Sequence, residues 1–203
     1  MVVEAAGHDA LMAYGHAVLT ARRHLYIVSV GALAQGDLRD RLLVAAKEAG
    51  SAIHIPCGAL AGFDGLMALR CGGLEGVRYT SIKPPAAWVG TPAEGLLGDL
   101  SAGEARTVFE GPAGQAAASF PKNANLAAAV ALAGIGFEQT QIRLIADSSA
   151  TVNSGVLEAW GPQGHLRVEV AGRAEPDNPK SSAIVADSIV ASLRNARGAL
   201  RFV

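Results

Sequence analysis

The chain has few of the residues that several protein classes need in quantity. Of its 203 residues, only two are cysteine, 5% are aromatic and 17% are charged. Cys57 and Cys71 lack metal-ligand spacing, which excludes a cysteine-based metal centre and predicts reduced thiols in a cytoplasmic protein. The 17 basic and 18 acidic residues nearly cancel without a basic run, so we expect no nucleic-acid partner.

Two longer patterns are also missing. No apolar run reaches the length of a membrane span and no signal-peptide pattern occurs, so we expect no membrane partner. No G-x-G-x-x-G stands between a predicted strand and a helix, because Gly134-Ile135-Gly136 follows a helix instead. Half of the residues are hydrophobic, which excludes disorder and suffices for the core of one large or two small domains.

The first quarter of the chain predicts a βαβαβ unit. Apolar strands are expected at the N-terminus and over 25–30 and 52–55, with helices over 9–21 and from Asp37 to Gly50. Such strands are typical of a buried parallel sheet. Two interpretations remain open: a dinucleotide-binding sheet whose first part is missing, or a smaller three-stranded α/β layer that needs nothing upstream.

From Pro56 onward the pattern predicts an α+β arrangement with a mostly antiparallel sheet. A four-residue turn at 161–164 indicates a hairpin, residues 173–180 resemble a polar linker, and a closing helix is expected from about Ser181. The predicted strands are 77–83, 107–110, 141–146, 156–160 and 166–170, and the short helices are 65–70 and 114–119.

The stretch 120–137, FPKNANLAAAVALAGIGF, is the centre of this arrangement. Pro121 and Asn123 suit the start of a helix, and Gly134 and Gly136 suit its end. Its small alanine side chains let neighbouring elements approach closely. The polar cluster lies at the positive end of a buried helix, where it could hold an uncharged or anionic ligand group, although a plain capped core helix explains it too.

Several motifs in order resemble the L-aspartate dehydrogenase family over essentially the whole chain. They are VVEAAGH (2–8), SVGAL (29–33), PCGAL (56–60), RYTSIKPPAAW (78–88), FPKNAN (120–125), ALAGIGF (131–137), RLIAD (143–147) and DNPKSS (177–182). The resemblance implies NAD- or NADP-dependent oxidative deamination of L-aspartate to iminoaspartate, then oxaloacetate plus ammonia, feeding NAD biosynthesis, in a cytoplasmic homodimer. It also implies three regions: the C-terminal portion of a Rossmann domain (1–55), a catalytic domain (56–180), and a closing helix and tail (181–203).

The resemblance further assigns residues. Its cofactor-contacting alanine and asparagine fall on Ala59 and Asn125. Its catalytic histidine falls on Gly155, two residues after Asn153, and glycine has no side chain to move a proton. General acid–base help is typically worth about 10²–10⁴-fold, so we expect impaired chemistry. Further candidates for binding the substrate are Lys122, Lys83 and Asn153. His165 is a candidate substitute base, and His8 is expected to start a helix near the nicotinamide. Residues 178–182 are expected to help line the site.

The departure at Gly155 leaves other functional readings open. The chain could be a non-catalytic binding or regulatory homologue, or a truncated gene product or mis-assigned start. Cys57 is rejected as a nucleophile, because no partner histidine accompanies it in a recognisable pattern.

Overall fold

The computed structural model describes residues 1–175 and 178–202, without the side chains of Lys122 and of residues 178–180. The strands are β1 (Val2–Glu4), β2 (Leu25–Ile27), β3 (Ile53–His54), β4 (Gly76–Lys83), β5 (Ala105–Pro112), β6 (Gln141–Asp147), β7 (Asn153–Gly161), β8 (Gly164–Gly172), β9 (Ala174–Glu175) and β10 (Asn178–Ser182). The helices are α1 (His8–Thr20), α2 (Gly36–Ala49), α3 (Phe63–Cys71), α4 (Ala113–Ser119), α5 (Asn125–Ala133) and α6 (Ile184–Arg197).

The N-terminal unit is a parallel sheet in the order β1-β2-β3, connected through α1 and α2. The predicted βαβαβ pattern and its parallel pairing are therefore confirmed. The prediction of a buried first strand is wrong for Val2 and Val3, which are 37% and 40% exposed because β1 has a neighbour on one side only in the described sheet. The expected second strand stops at Ile27, and Val30–Ala34 forms a 3₁₀ segment instead.

The second unit is a five-stranded sheet in the order β5-β6-β4-β7-β8. Only β4 and β6 are parallel among these pairs, which confirms a mostly antiparallel α+β arrangement. Its β7–β8 hairpin is tighter than predicted, because Gly161 pairs with Gly164 and only Pro162 and Gln163 remain in the loop. Gly164 has φ 139°, a conformation that favours glycine, and this lets the ladder continue to the turn.

The segment before the last helix differs from the predicted polar linker. Strands β9 and β10 pair there as a short antiparallel ribbon, and the Ala183 N–H donates to the Arg173 carbonyl at 3.0 Å. Backbone pairing satisfies this polar stretch, which its composition does not indicate. Helix α6 consequently begins at Ile184 rather than Ser181. No helix in the described part of the chain is both long and apolar enough to cross a bilayer.

Helix α5 lies between the two sheets and belongs to both hydrophobic cores. Ala128 and Ala129 pack with the N-terminal unit, whereas Ala127, Val130 and Ala131 pack with the second. Methyl side chains on both faces allow this double packing at short distance.

The start of α5 differs from the expectation that Asn123 caps it. A 3₁₀ turn over Pro121–Asn123 comes first, in which the Asn123 N–H donates to the Phe120 carbonyl at 2.8 Å. Because that turn is tighter, the α-helix begins only at Asn125, with no side-chain cap. The side chain of Asn123 is thereby left for another role.

Candidate functional site

A cleft of about 130 Å³ lies where the ends of β2 and β4 and the start of β7 meet the beginning of α5. Its volume is below the roughly 300–1,000 Å³ of pockets that hold a whole drug-sized ligand, so it fits the reactive end of a ligand. Its walls come from both sheets and from α6. The lining includes Ile27, Val30, Gly58, Ala59, Tyr79, Ser81, Lys83, Asn123, Asn125, Leu126, Asn153, Gly155, Ser181, Ser182 and Ser188.

The side chain of Asn125 in the cleft is held by two contacts from the N-terminal unit. Its Oδ1 accepts a hydrogen bond from the Gly31 N–H at 2.9 Å and lies 3.2 Å from His8 Nε2. The residues come from the 3₁₀ segment after β2, the first turn of α1 and the first residue of α5. His8 does begin a helix as expected, but its contact with Asn125 was not foreseen, because the two residues are 117 positions apart.

The loop that carries Ala59 is fixed to the last helix. Gly58 has φ 65°, which favours glycine, and its N–H donates to the Ser188 hydroxyl at 3.1 Å. The Ser188 hydroxyl in turn donates to the Val185 carbonyl at 2.7 Å. Ala59 thus reaches the same cleft as Asn125, so the two positions assigned to the cofactor by resemblance are brought together.

The remaining polar wall is suited to an anion. Lys83 is the one basic side chain among the described residues that line the cleft. Asn153 lies beside it, is 5% exposed, and donates from Nδ2 to the Ser181 carbonyl at 3.4 Å. The side chain of Lys122 and those of residues 178–180 lie outside the described part, whereas Ser181 and Ser182 line the cleft as expected.

Gly155 pairs with Ser81 on the β4–β7 ladder, and the side chain of Tyr79, two residues along β4, lies against it. A Cβ added at Gly155 would lie 3.2 Å from both Cε2 and the hydroxyl oxygen of Tyr79, and 3.4 Å from a Leu60 methyl. Burial raises the pKa of Tyr79 to about 12, with a smaller opposing effect from a hydrogen bond to Ser81. The Tyr79 hydroxyl is therefore protonated at neutral pH, so it is a hydrogen-bond donor and a poor base.

Two candidates from the sequence lie away from this site. His165 pairs with Trp160 on the β7–β8 ladder, five residues from the partner of Gly155, or about 17 Å along the strand. It does not line the cleft, which argues against its role as a substitute base. Cys57 is exposed and burial raises the pKa of its thiol, which fits its rejection as a nucleophile.

Asn123 is a cleft residue whose importance the sequence did not show. Both polar atoms of its carboxamide are buried and lack a hydrogen-bond partner among the described residues. An unpaired buried amide costs about 1–3 kcal/mol per group, so a ligand that satisfied it would regain that energy. The signal was present in the FPKNAN motif, but helix capping explained the asparagine equally well.

A wider groove of about 790 Å³ opens on the other side of the N-terminal sheet, between β3 and α6. Most of its lining is apolar, including Ile53, Phe63, Met67 and Leu132. Its polar lining includes Arg201, Asn195 and a pair of histidines, in which His24 Nδ1 lies 3.1 Å from His54 Nε2. The smaller cleft is the better candidate, because it holds the convergent amides, hydroxyls and lysine.

Two protein families match successive parts of the chain. Residues 64–196 match the family described as aspartate dehydrogenase, C-terminal, and residues 1–56 match the NAD-binding domain of homoserine dehydrogenase. The L-aspartate dehydrogenase of Pseudomonas aeruginosa is 43% identical over 195 residues, which are 96% of this chain and 73% of that protein. The L-aspartate dehydrogenase of Ralstonia nicotianae is 44% identical, with the same two coverages, 96% and 73%.

Solved structures point the same way. The crystal structure of aspartate dehydrogenase from Thermotoga maritima superimposes with a TM-score of 0.81 at 26% identity, over 99% of this chain and 77% of that one. An archaeal homoserine dehydrogenase in complex with NADPH, 11% identical with a TM-score of 0.50, shares the fold alone. A family match over most of the chain and relatives above 40% identity leave one assignment: the chain belongs to the L-aspartate dehydrogenase family.

Proposed function

We propose that the protein is an NAD(P)-dependent L-aspartate dehydrogenase, which oxidises the Cα–N bond of L-aspartate to iminoaspartate, followed by hydrolysis to oxaloacetate and ammonia. One observation carries this proposal. A single cleft contains Ala59 and Asn125, which the family resemblance assigns to the cofactor, and Gly155, where it places the catalytic histidine. Asn153, a candidate for binding the substrate, lines the same cleft.

The cleft fits the reactive end of a nicotinamide cofactor. Asn125 presents a carboxamide held from the N-terminal unit, and the Gly58–Ala59 backbone approaches it without a bulky side chain. Ile27, Val30 and Leu126 supply an apolar wall. A nicotinamide cofactor held here would supply the acceptor for the hydride that leaves the substrate. The contribution of the chain is to orient that ring and to keep water from it.

The substrate side is built for a small dicarboxylate. Lys83 provides one positive charge, and the N-terminus of α5 adds the partial positive charge of a helix end. Asn153 and the hydroxyls of Ser81 and Ser182 can donate to a carboxylate at the same place. We include Lys122 as a proposed partner of the second carboxylate on its position in the chain alone.

The position of Gly155 favours a second candidate function, namely cofactor and substrate binding without rapid turnover. No side chain there can accept the proton that leaves the substrate ammonium group, and the neighbouring Tyr79 hydroxyl keeps its own proton. Loss of a general base typically costs about 10²–10⁴-fold in rate. A binding or regulatory homologue would retain the cleft and lack the turnover.

A titration followed by a turnover assay tests both candidates. NADH and NADPH are titrated against the purified chain, and binding is followed by quenching of tryptophan fluorescence. L-aspartate, L-asparagine and succinate are then tested for binding to the cofactor complex, and L-aspartate for NAD(P)⁺ reduction. Saturable cofactor binding with a preference for dicarboxylates supports the cleft. Slow turnover supports the dehydrogenase, whereas binding without measurable turnover supports the second candidate.

Variants assign the binding to this cleft. Lys83→Met removes the charge and should lower dicarboxylate affinity about tenfold or more, since a charged hydrogen bond is worth about 1.5–3 kcal/mol. Arg143→Met is the matched control, because Arg143 is an exposed cation of the second sheet on β6, away from the cleft lining. Equal losses for the two variants, or no cofactor binding by the unaltered chain, would contradict the proposal.

Three wider properties belong to the same proposal. A homodimer is supported by the exposed apolar side chains Leu200 and Phe202, 80% and 83% accessible, which a second subunit could cover. A cytoplasmic location is supported by two free thiols, the form that a reducing compartment preserves. A supply of iminoaspartate to NAD biosynthesis follows from the proposed reaction. Sedimentation analysis of Phe202→Ser against the unaltered chain tests the dimer.

A further inference from the structure

We propose that Asn125 serves the cofactor only as a hydrogen-bond donor, and that His8 is the positioning residue that holds it in this orientation through a proton on Nε2. The proposal rests on the proposed function, because it concerns the same cofactor end of the cleft. It adds the direction of the hydrogen bond, the tautomer of a histidine and the chemical class of the ligand group.

The orientation of the Asn125 carboxamide follows from its backbone partner. The Gly31 N–H can only donate, and it lies 2.9 Å from the terminal atom assigned as Oδ1. A flipped amide would place the NH₂ group against this N–H, so that two donors would face each other. The oxygen is therefore turned towards the N-terminal unit, and the orientation is determined by the bond itself.

The tautomer of His8 follows from the same oxygen. His8 Nε2 lies 3.2 Å from Asn125 Oδ1, and an oxygen acceptor requires a donor. Nε2 thus carries a proton, either in the neutral Nε2–H tautomer or in the imidazolium form. Both lone pairs of the amide oxygen are then in use, one for Gly31 and one for His8.

What remains for a ligand is the NH₂ group of Asn125. Within the described part of the chain this group donates to no protein acceptor, and Asn125 lines the cleft. The group that it recognises must be an acceptor, of which an amide carbonyl oxygen on a ring is the type that the proposed cofactor carries. A carboxamide that could both donate and accept, as its chemistry alone allows, is thus restricted to donation.

The contact among Gly31, His8 and Asn125 leaves no room for a side chain at position 31. A Cβ added at Gly31 would lie 3.0 Å from Asn125 Oδ1 and also from Cε1 and Nε2 of His8. Glycine is therefore needed for all three groups to meet. Because His8 and Gly31 belong to the N-terminal unit and Asn125 opens the helix shared by both units, the bond orients the donor relative to both walls of the cleft.

Three substitutions separate donation from acceptance. Asn125→Asp keeps an oxygen for Gly31 and His8 but removes the donor, so we expect NADH affinity to fall about tenfold or more with the fold retained. His8→Leu removes the bond that orients the amide and should weaken NADH binding several-fold. His8→Gln places an amide N–H near the Nε2 position and should restore affinity to within about threefold, a rescue that a merely structural role for the imidazole would not give.

The ligand-free protein supplies an independent readout. In ¹⁵N NMR spectra of the ligand-free chain, His8 should show a protonated Nε2. His165→Gln serves as the control for spectra and binding.

The outcomes are distinguishable. A neutral Nδ1–H tautomer of His8, or an Asn125→Asp variant that binds NADH as well as the unaltered chain, overturns the donor assignment while the proposed function stands. Failure of the unaltered chain to bind NADH or NADPH overturns the proposed function and the donor role together. Loss of folding in Asn125→Asp, measured by circular dichroism, also overturns the assignment, because the carboxylate oxygen should still accept hydrogen bonds from Gly31 and His8.

Discussion

Substitution of Gly155 by histidine tests whether a missing side chain limits this protein. Gly155 does not have positive φ, so the backbone accepts a side chain without strain. The new Cβ would lie 3.2 Å from Cε2 and the hydroxyl of Tyr79 and 3.4 Å from a Leu60 methyl, distances that require the neighbours to move by a few tenths of an ångström. Such overpacking costs about 1–3 kcal/mol, and position 155 itself lines the cleft.

The expected result is a less stable and faster enzyme. A general base in place should raise turnover about 10²–10⁴-fold, which corresponds to roughly 3–5 kcal/mol of activation free energy. Urea unfolding measures the stability, and NAD(P)⁺ reduction with saturating L-aspartate measures the turnover. Gly155→Ala is the matched control, since it adds the crowding Cβ without the imidazole and should lose stability with no gain in rate.

Either half of this reasoning can fail separately. A Gly155→His variant as stable as the unaltered chain would refute the packing argument. A folded variant that binds cofactor and substrate but turns over no faster would refute the view that the absent imidazole limits the chemistry.

Three further substitutions have defined outcomes. Combining Gly155→His with Tyr79→Phe removes the 3.2 Å contact between the new Cβ and the Tyr79 hydroxyl. A double-mutant cycle of unfolding free energies in urea should therefore show favourable coupling of about 0.5–3 kcal/mol between the two substitutions. Additive effects of the two substitutions would contradict this expectation. Glu4→Gln should lower the free energy of unfolding in urea by about 1–3 kcal/mol. The buried Glu4 carboxylate accepts four hydrogen bonds at 2.8–3.2 Å, from the N–H groups of Ala6 and Gly7 and from the N–H and hydroxyl of Ser29. An unchanged unfolding midpoint would contradict this role of the carboxylate. Burial, and to a smaller extent the neighbouring His24, lowers the pKa of His54 below 6.5. The unfolded chain therefore binds more protons at this residue, and the stability of the fold should fall as the pH drops below about 6.5. His54→Gln should reduce this loss of stability between about pH 7.5 and 5.5, whereas the control His165→Gln should not.

The parts of the fold with strong periodicity were predictable. The βαβαβ unit and the strands β4, β6 and β8 follow from hydrophobic patterns whose period is set by local geometry. The ribbon of β9 and β10 was not, because its strands are short and polar and are satisfied by backbone pairing that leaves no periodic trace. The exposure of Val2 and Val3 was missed for a related reason, since strand order in a sheet is a property of tertiary structure.

The site was predictable only as far as motifs extend. Placing Asn125 at the mouth of a helix was possible from the sequence, and the structure brings it to one cleft with Ala59 and Gly155. The partners that orient it lie 94 and 117 residues away, and no local signal marks them. For Asn123 the sequence suggested a capping role. The structure instead places it in a 3₁₀ turn, where its buried amide has no hydrogen-bond partner among the described residues.

The alanines of α5 have a consequence for how the cleft keeps its dimensions. Ala128 and Ala129 contact one core, and Ala127 and Ala131 contact the other, so the thickness of this helix sets the separation of the two sheets. The gap between the two walls of the cleft therefore depends on these methyl groups, of which Ala129 also lines the cleft. A single larger residue on either face would widen that gap, so a change in the packing of this helix would alter how a ligand fits even with Asn125 in place.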